Sequence, residues 1–443
     1  MPTITGLATR AQNLAPIDLT TVFGPLYYRY LSIQANRAHS PEDSINPDPD
    51  PTAPDHVLIV VIDALRPDTA PDLPLDFDRA VAPGTWTFPS VTSMQTGLEP
   101  HEHGAVAHTH PDDDHYAMPA QYDGSSTLPH VIEQSGYDTY LGAAFIMPFL
   151  ALQGWFQFHR VYGDVDAERV INDYRDWRAN RNRTYASLQL GDLHAPIEPP
   201  ETYINARNVD TTLNGLHSLG KYTDDYDSAP EDWREQRLRL YCAALDYVSD
   251  TLRPLIADCR EDTLIVVTGD HGEAMWEHHE RDRQFTDSRP NYGVGHGGTP
   301  YDEVARVPIA LAHPDRTIDF AGGYLSGCDL PRTVCAGLGI DEPSFPGENW
   351  FSGVASDRAA LCEATRYGTE RKAIYCDGEK VIHSKTDGIT LGATLDNGET
   401  FGTLDDDRTT TLRDQLPNAW DDFGTQTKTS AMVQNRLEAL GYR

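Results

Sequence analysis

The sequence predicts an α/β fold: a mostly parallel central sheet covered by helices on both faces, with a smaller C-terminal α+β part. Three observations carry this. Val57-Leu58-Ile59-Val60-Val61-Ile62 and Thr263-Leu264-Ile265-Val266-Val267-Thr268 are continuous runs rich in β-branched residues, the composition of strands buried on both faces. Each run leads into an aspartate, Asp63 and Asp270, and in open α/β sheets ligands bind beyond the carboxyl ends of the strands. After residue 355, short apolar runs are separated by Asp-Gly and Asn-Gly pairs, which signal antiparallel hairpins.

Composition narrows the class. The 443 residues include 68 acids against 35 bases, a formal charge of −33, and 39% are hydrophobic. That apolar content is too high for a disordered acidic chain, so the acid coats a folded surface. The lysines are few: Lys221, Lys372, Lys380, Lys385 and Lys428. Acid-rich, lysine-poor surfaces suit high salt, where counter-ions screen carboxylate repulsion, and a haloarchaeal source is expected. The same field repels phosphate backbones and argues against nucleic acid as a partner. The six cysteines, Cys242, Cys259, Cys328, Cys335, Cys362 and Cys376, form no Cys-x-x-Cys pair and are expected to be free thiols. Met1–Tyr30 has no signal-peptide pattern, and no apolar run reaches the roughly 18 residues of a spanning helix. A cytoplasmic protein is expected.

Taken in order, residues 1–40 read as helical, with apolar spacing through Leu19, Val22, Phe23, Leu26, Tyr27 and Tyr30. Residues 41–55 are a proline- and aspartate-rich linker. These form a first segment, 1–55, before an α/β core at 56–340 and a C-terminal part at 341–443. In the core, the strand before Asp63 is followed by a loop over 65–84. The segment Thr87-Phe88-Pro89 opens a short helix ended by Gly97. Leu98 to Gly104 is a corner whose His101 and His103 are expected in structural roles. Residues 126–150 read as helix, strand and loop, and 165–182 as a charged helix. Tyr185 to Leu190 is a strand followed by Asp192-Leu193-His194. A long polar loop is expected at 198–232. Residues 231–257 form a helix with Leu238, Tyr241, Leu245, Val248 and Leu252 on its core face. After Asp270-His271-Gly272-Glu273 comes a polar loop, 274–293, with solvent-facing His278 and His279, then His296 among glycines. Strands are expected from Arg306 and between 355 and 403, and helices from Asp329 to Leu338 and from Ser430 to Leu440.

Several of these positions bear chemistry. Thr87 lies at a helix start, where free N–H groups and the dipole favour an anion or an alkoxide formed from the threonine itself; a plain N-cap is the alternative. Asp270 with His271 offers the carboxylate and imidazole that suit a divalent transition metal, and Gly272 lets the backbone turn close to it. Asp192 and His194 follow a strand, where a polar βα loop is the alternative, and His296 sits in a loop whose glycines permit close approach to a ligand. Asp63, Thr87, Asp192, His194, Asp270, His271 and His296 together supply hard oxygens, imidazoles and a hydroxyl nucleophile.

In this order the motifs resemble the alkaline phosphatase/sulfatase superfamily. Val61-Ile62-Asp63 is similar to the first metal-binding strand, and Thr87 to Gly97 followed by Pro100 to Gly104 resembles the nucleophile helix. Asp192-Leu193-His194-Ala195-Pro196, Gly269-Asp270-His271-Gly272-Glu273, His296, Arg306-Val307-Pro308 and Leu440-Gly441-Tyr442 follow in place. The resemblance covers roughly residues 56–442 and implies an alkaline-phosphatase-like fold. It implies one divalent metal on Asp63, Thr87, Asp270 and His271, with Thr87 attacking. His194 and His296 would hold substrate oxygens or a second ion, Asp192 being the weaker candidate there. Zn2+ or Mn2+ is expected, Ca2+ or Mg2+ being compatible with the oxygens.

Two departures set the subclass. Sulfatases carry a Cys or Ser, oxidised to formylglycine, with an arginine four residues on; here the positions hold Thr87 and Val91. Threonine is similar to the nucleotide pyrophosphatase/phosphodiesterase and phosphoethanolamine transferase branches. Ala64 also stands where sulfatases have a second aspartate. The expectation is a metal-dependent hydrolase or transferase of a small anionic phosphate ester, a phosphodiester or phosphonate ester, through a phospho-threonine intermediate. The alternatives are a sulfuric ester hydrolase, a phosphoglycerate-mutase-like enzyme, or a non-catalytic relative that binds an anion.

Overall fold

The computed structural model describes residues 19–40, 49–111, 117–124, 126–213, 215–217, 231–289, 293–318, 320, 322–340, 345–396 and 398–420. Its strands are β1 (His56–Ile62), β2 (Asp78–Val81), β3 (Asp138–Ala143), β4 (Phe158–Val161), β5 (Thr184–Leu190), β6 (Thr263–Gly269), β7 (Ala274–Met275), β8 (Val294–Gly295), β9 (Arg306–Ala312) and β10 (Leu325–Ser326) in the first three quarters of the chain. Then follow β11 (Ala360–Cys362), β12 (Lys372–Cys376), β13 (Glu379–Ser384), β14 (Ile389–Thr394) and β15 (Thr400–Phe401). Eight strands form one sheet in the order β10-β2-β9-β6-β1-β5-β3-β4, and β11 to β15 form a separate five-stranded meander. In the large sheet only β9 runs antiparallel to both neighbours, β2 and β6.

The three central strands β1, β5 and β6 are buried along their whole length, as their unbroken apolar character demands. Their register places the site. His56 faces Thr184 and Thr263, and Ile62 faces Leu190 and Gly269, so the three strands end level. The residues that follow, Asp63, Gly191 and Asp270, therefore emerge at one sheet edge. Helices cover the faces, including Thr87–Thr96, Leu128–Gln134, Ile146–Leu152, Ala167–Arg178, Glu231–Cys259 and Leu330–Gly337. The helix Leu19–Ala38 lies against edge strand β4, with the Ser32 hydroxyl accepting from Val161 N and Asn36 Oδ1 accepting from His159 N. No helix among the described residues is long and apolar enough to cross a membrane.

Several local expectations need correction. The loop at 65–84 contains β2, whose Asp78–Arg79 half is exposed and carries no apolar signal. The polar stretch at 198–232 contains the helix Glu201–Ala206. The stretch 274–293 holds β7, paired with β8, and the short helix His279–Asp282. Leu238 is 39% exposed, while Tyr241, Leu245, Val248 and Leu252 are buried. The expected helix at 430–440 and the first 18 residues lie outside the described part. None of the six cysteines forms a disulfide among the described residues. The meander turns as its sequence predicts: Asp377 and Gly378 both take positive φ, 52° and 76°, the two-residue turn that matches strand twist.

Candidate active site

Asp63 leaves β1 with its N–H donated to Leu190 O at 2.9 Å. The next residue, Ala64, has φ 59°, an unusual conformation for a residue with a Cβ. Tyr241, from the long helix Glu231–Cys259, holds this turn. Its hydroxyl donates to Ala64 O at 2.8 Å and accepts from Arg66 N at 2.9 Å. Apolar spacing marks Tyr241 as core and gives no sign of this polar task.

Thr87 is the first residue of a helix buried along its entire length, Thr87–Thr96, which closes on Gly97 at φ 73°. The N-cap residue is Trp86, without a side-chain cap. The Thr87 hydroxyl instead donates to Asp63 Oδ2 at 2.9 Å and stands 3.3 Å from His271 Nε2. This geometry displaces the plain N-cap alternative. His271 Nδ1 is engaged by Gly272 O at 2.8 Å, which fixes the ring as the Nδ1–H tautomer and leaves the lone pair on Nε2. That nitrogen lies 3.8 Å from Asp63 Oδ1 and 3.6 Å from Asp270 Oδ2.

His296 is brought in by a backbone link, Gly297 N to Thr85 O at 2.6 Å. Gly297 has φ 73°, and a Cβ there would meet Arg366 Cβ at 2.8 Å. The His296 ring lies 4.3 Å from that of His271 and 5.1 Å from that of His194. Its Nδ1 is 2.6 Å from Glu273 Oε2. The Nδ1 of His194 is 2.7 Å from Ala195 O, and its ring stacks on Phe145. Glu273 is the site residue that residue-by-residue reading leaves without a task; its signal is its place directly after Asp270-His271-Gly272.

Asp192 is not turned to this cluster. Its Oδ1 accepts from Ala167 N at the start of the helix Ala167–Arg178, and it lines a separate acidic cleft with Asp164, Asp166, Glu168 and Glu198. Burial pushes it up to about 7. His101 and His103 also point elsewhere, to Glu363 at 2.7 Å and Ser93 at 3.0 Å respectively.

The residues fit a divalent cation. Asp63, Asp270 and His271 offer one ligand atom each within 4.8 Å of one another, all buried. Asp63 Oδ1 and Asp270 Oδ2 are buried and accept no hydrogen bond among the described residues, a state that costs free energy unless something pairs them. Asp63 is raised well above the carboxylate range, first by burial and then by the charge of Asp270. Two acids and an imidazole with no lysine or arginine partner among the described residues are short of positive charge.

The sulfatase family model matches residues 72–317, more than half of the chain. The chain belongs to the sulfatase family. Enzymes of this family are in general divalent-metal dependent. Over 199 residues this sulfatase-family chain is 26% identical to the uncharacterized sulfatase YidJ of Escherichia coli (strain K12), a match covering 42% of the chain and 37% of YidJ. It therefore spans little more than a third of that relative's length. Among solved structures, it resembles BT4656, described in complex with its substrate D-glucosamine-2-N,6-O-disulfate, at a TM-score of 0.61 and 14% identity, covering 88% of this chain and 98% of that one. It also resembles the phosphonate monoester hydrolase of Silicibacter pomeroyi, at 0.56 and 15%, covering 81% and 93%. The phosphonate monoester hydrolase of Agrobacterium radiobacter matches at 0.56 and 14%, covering 82% and 94%. These likenesses establish the fold.

Proposed function

We propose that this hydrolase cleaves a phosphate ester, a phosphodiester or phosphonate ester, through a covalent intermediate on Thr87. The observation that carries the proposal is the position of the Thr87 hydroxyl, 2.9 Å from Asp63 Oδ2 and 3.3 Å from His271 Nε2. A threonine there is a ready nucleophile but cannot give the aldehyde of a formylglycine, and the buried Val91 replaces the arginine that would support one. Asp63, Thr87, Asp270 and His271 would hold one divalent ion, Zn2+ or Mn2+, which supplies Lewis-acid stabilisation of developing negative charge when bound.

The remaining steps fall to the chain. Asp63 Oδ2 receives the hydrogen bond of the Thr87 hydroxyl and orients its oxygen for attack on phosphorus. As the Thr87 Oγ–P bond forms, the ester P–O bond breaks and the alcohol leaves with a proton. Water then cleaves the phospho-threonine and restores the hydroxyl. Glu273 holds the His296 ring through Nδ1 at 2.6 Å, which orients Nε2 toward the phosphoryl oxygens, with His194 beside it. Asp192, turned to the helix start, is left out of this set.

A sulfate ester is the second reading, favoured by the name of the matching family model and by that of YidJ. A non-catalytic anion binder is disfavoured because Asp63, Thr87, Asp270 and His271 converge in one buried cluster. Turnover of p-nitrophenyl phosphate, bis-p-nitrophenyl phosphate, p-nitrophenyl phenylphosphonate and p-nitrophenyl sulfate with Mn2+ or Zn2+ tests the proposal. Diester or phosphonate should be cleaved fastest; a clear preference for the sulfate would overturn it.

A further inference from the structure

His278 follows the β7 strand and was expected to face solvent. It does not. Its ring packs on Tyr301 at 4.4 Å and edge-on against Phe401 at 5.5 Å, and its side chain is 15% exposed. Nε2 stands 3.4 Å from Glu303 Oε2 and 3.4 Å from Glu399 Oε2. Three parts of the chain meet here: the turn before the helix His279–Asp282, the helix Asp302–Ala305, and the β14–β15 connection of the meander.

The geometry points to a second divalent-cation site, structural in role, formed by His278, Glu303 and Glu399. Three features support it. First, a strong imidazolium–carboxylate hydrogen bond closes to about 2.7–2.9 Å, and these separations are longer. Two ligands each about 2.0–2.1 Å from a tetrahedral zinc lie about 3.4 Å apart. Second, His278 Nε2 and Glu303 Oε2 are buried atoms without a well-directed hydrogen bond among the described residues. Third, the cluster is short of positive charge. Lys380 Nζ reaches Glu399 Oε1 at 2.5 Å and Asp302 at 3.0 Å, so two carboxylates share that ammonium. Lys380 on Glu399 then acts as the outer hydrogen bond that ligating carboxylates commonly receive.

This site is distinct from the Asp63, Asp270 and His271 cluster but is joined to it. Gly272 N donates to Val304 O at 2.8 Å, and a Cβ at Gly272 would collide with the carbonyl of Glu303. A cation on Glu303 would thus pin the meander to the segment that backs His271. The competing arrangement needs no ion: against burial, which lowers it, Glu303 raises the His278 ring, and an imidazolium could bridge the two carboxylates.

The test uses the full chain as an Asp270→Asn/His271→Gln variant, which disables the first cluster. Stripped with chelator, reloaded with ZnCl2 and desalted, it should retain one zinc per chain by elemental analysis, and zinc should raise its melting temperature. Adding Glu399→Gln, whose amide still accepts from Lys380, should cut zinc affinity by about tenfold or more with the circular dichroism spectrum unchanged. His278→Gln serves as an independent second substitution. No retained zinc in the starting variant, or retention undiminished by both substitutions, would overturn the site and leave the imidazolium bridge. Neither result touches the role of Thr87.

Discussion

Thr87→Val separates a nucleophile from a structural hydroxyl. The side chain is fully buried at the start of a buried helix, and valine preserves its shape while removing the one oxygen. The structural cost is the donation to Asp63 Oδ2 at 2.9 Å, and a hydrogen bond contributes about 0.5–3 kcal/mol, the upper part of that range applying when the acceptor is ionised. If that were its only task, the variant would melt earlier but each folded molecule would turn over at the wild-type rate. As nucleophile, its loss should lower kcat by at least about 10^3-fold, roughly 4 kcal/mol of barrier. Thr87→Ser keeps the hydroxyl and should stay within about tenfold of wild type, since only a methyl is lost. The assay is p-nitrophenol release per folded molecule, with acid-quenched mass spectrometry of the peptide carrying Thr87 to detect its phosphorylated form in the wild type. Thr87→Val turning over at more than a tenth of the wild-type rate, with fold and metal content intact, would refute the assignment.

Three further outcomes are expected. Asp270→Asn should weaken metal binding at the first cluster at least tenfold, about 1.4 kcal/mol, and so remove one ion per chain; unchanged stoichiometry by elemental analysis would count against the ligand set. The −33 charge should make the melting temperature climb with KCl toward molar concentrations as repulsion is screened, and a melting curve indifferent to salt would contradict the high-salt reading. Finally, burial pushes His103 and His159 down to about 3, and each ring accepts a backbone N–H, from Ala105 and Gly154 respectively. Both must stay neutral in the fold. Their depressed values leave stability intact above pH 6.5 and erode it as pH falls toward 3, by about 1.4 kcal/mol per pH unit for each ring. Urea titrations at pH 7.5 and 5.5 should show this, and His103→Gln should weaken the dependence; an identical slope would remove His103 from the account.

Much of the site was legible before any fold was known. Asp63 and Asp270 announce themselves because a continuous β-branched run can only be a strand covered on both faces, and an acid at its end cannot be buried without a partner. Thr87 is marked by the proline two residues on and the glycine that ends its helix. These are local signals, set by backbone propensity and by the cost of hiding charge. They specify the central strands, the helix start and the residue types of the site.

Other features are not written locally. Level strand ends, from the pairing of Ile62 with both Leu190 and Gly269, decide that Asp63 and Asp270 meet, and sheet pairing is a property of partners far apart in the chain. Asp192 and His194 share one motif, yet one turns to a helix start and the other stacks on Phe145. Tyr241 is buried as its spacing predicts, whereas His278 is packed away from solvent despite its polar loop; neither local signal names the polar group waiting there. The sequence alone determined an α/β fold with a hydroxyl and metal-type ligands at its strand ends. Only the tertiary structure decided which of those ligands converge, because partners such as Thr87 and His271, 184 positions apart, are brought together by sheet pairing and helix packing.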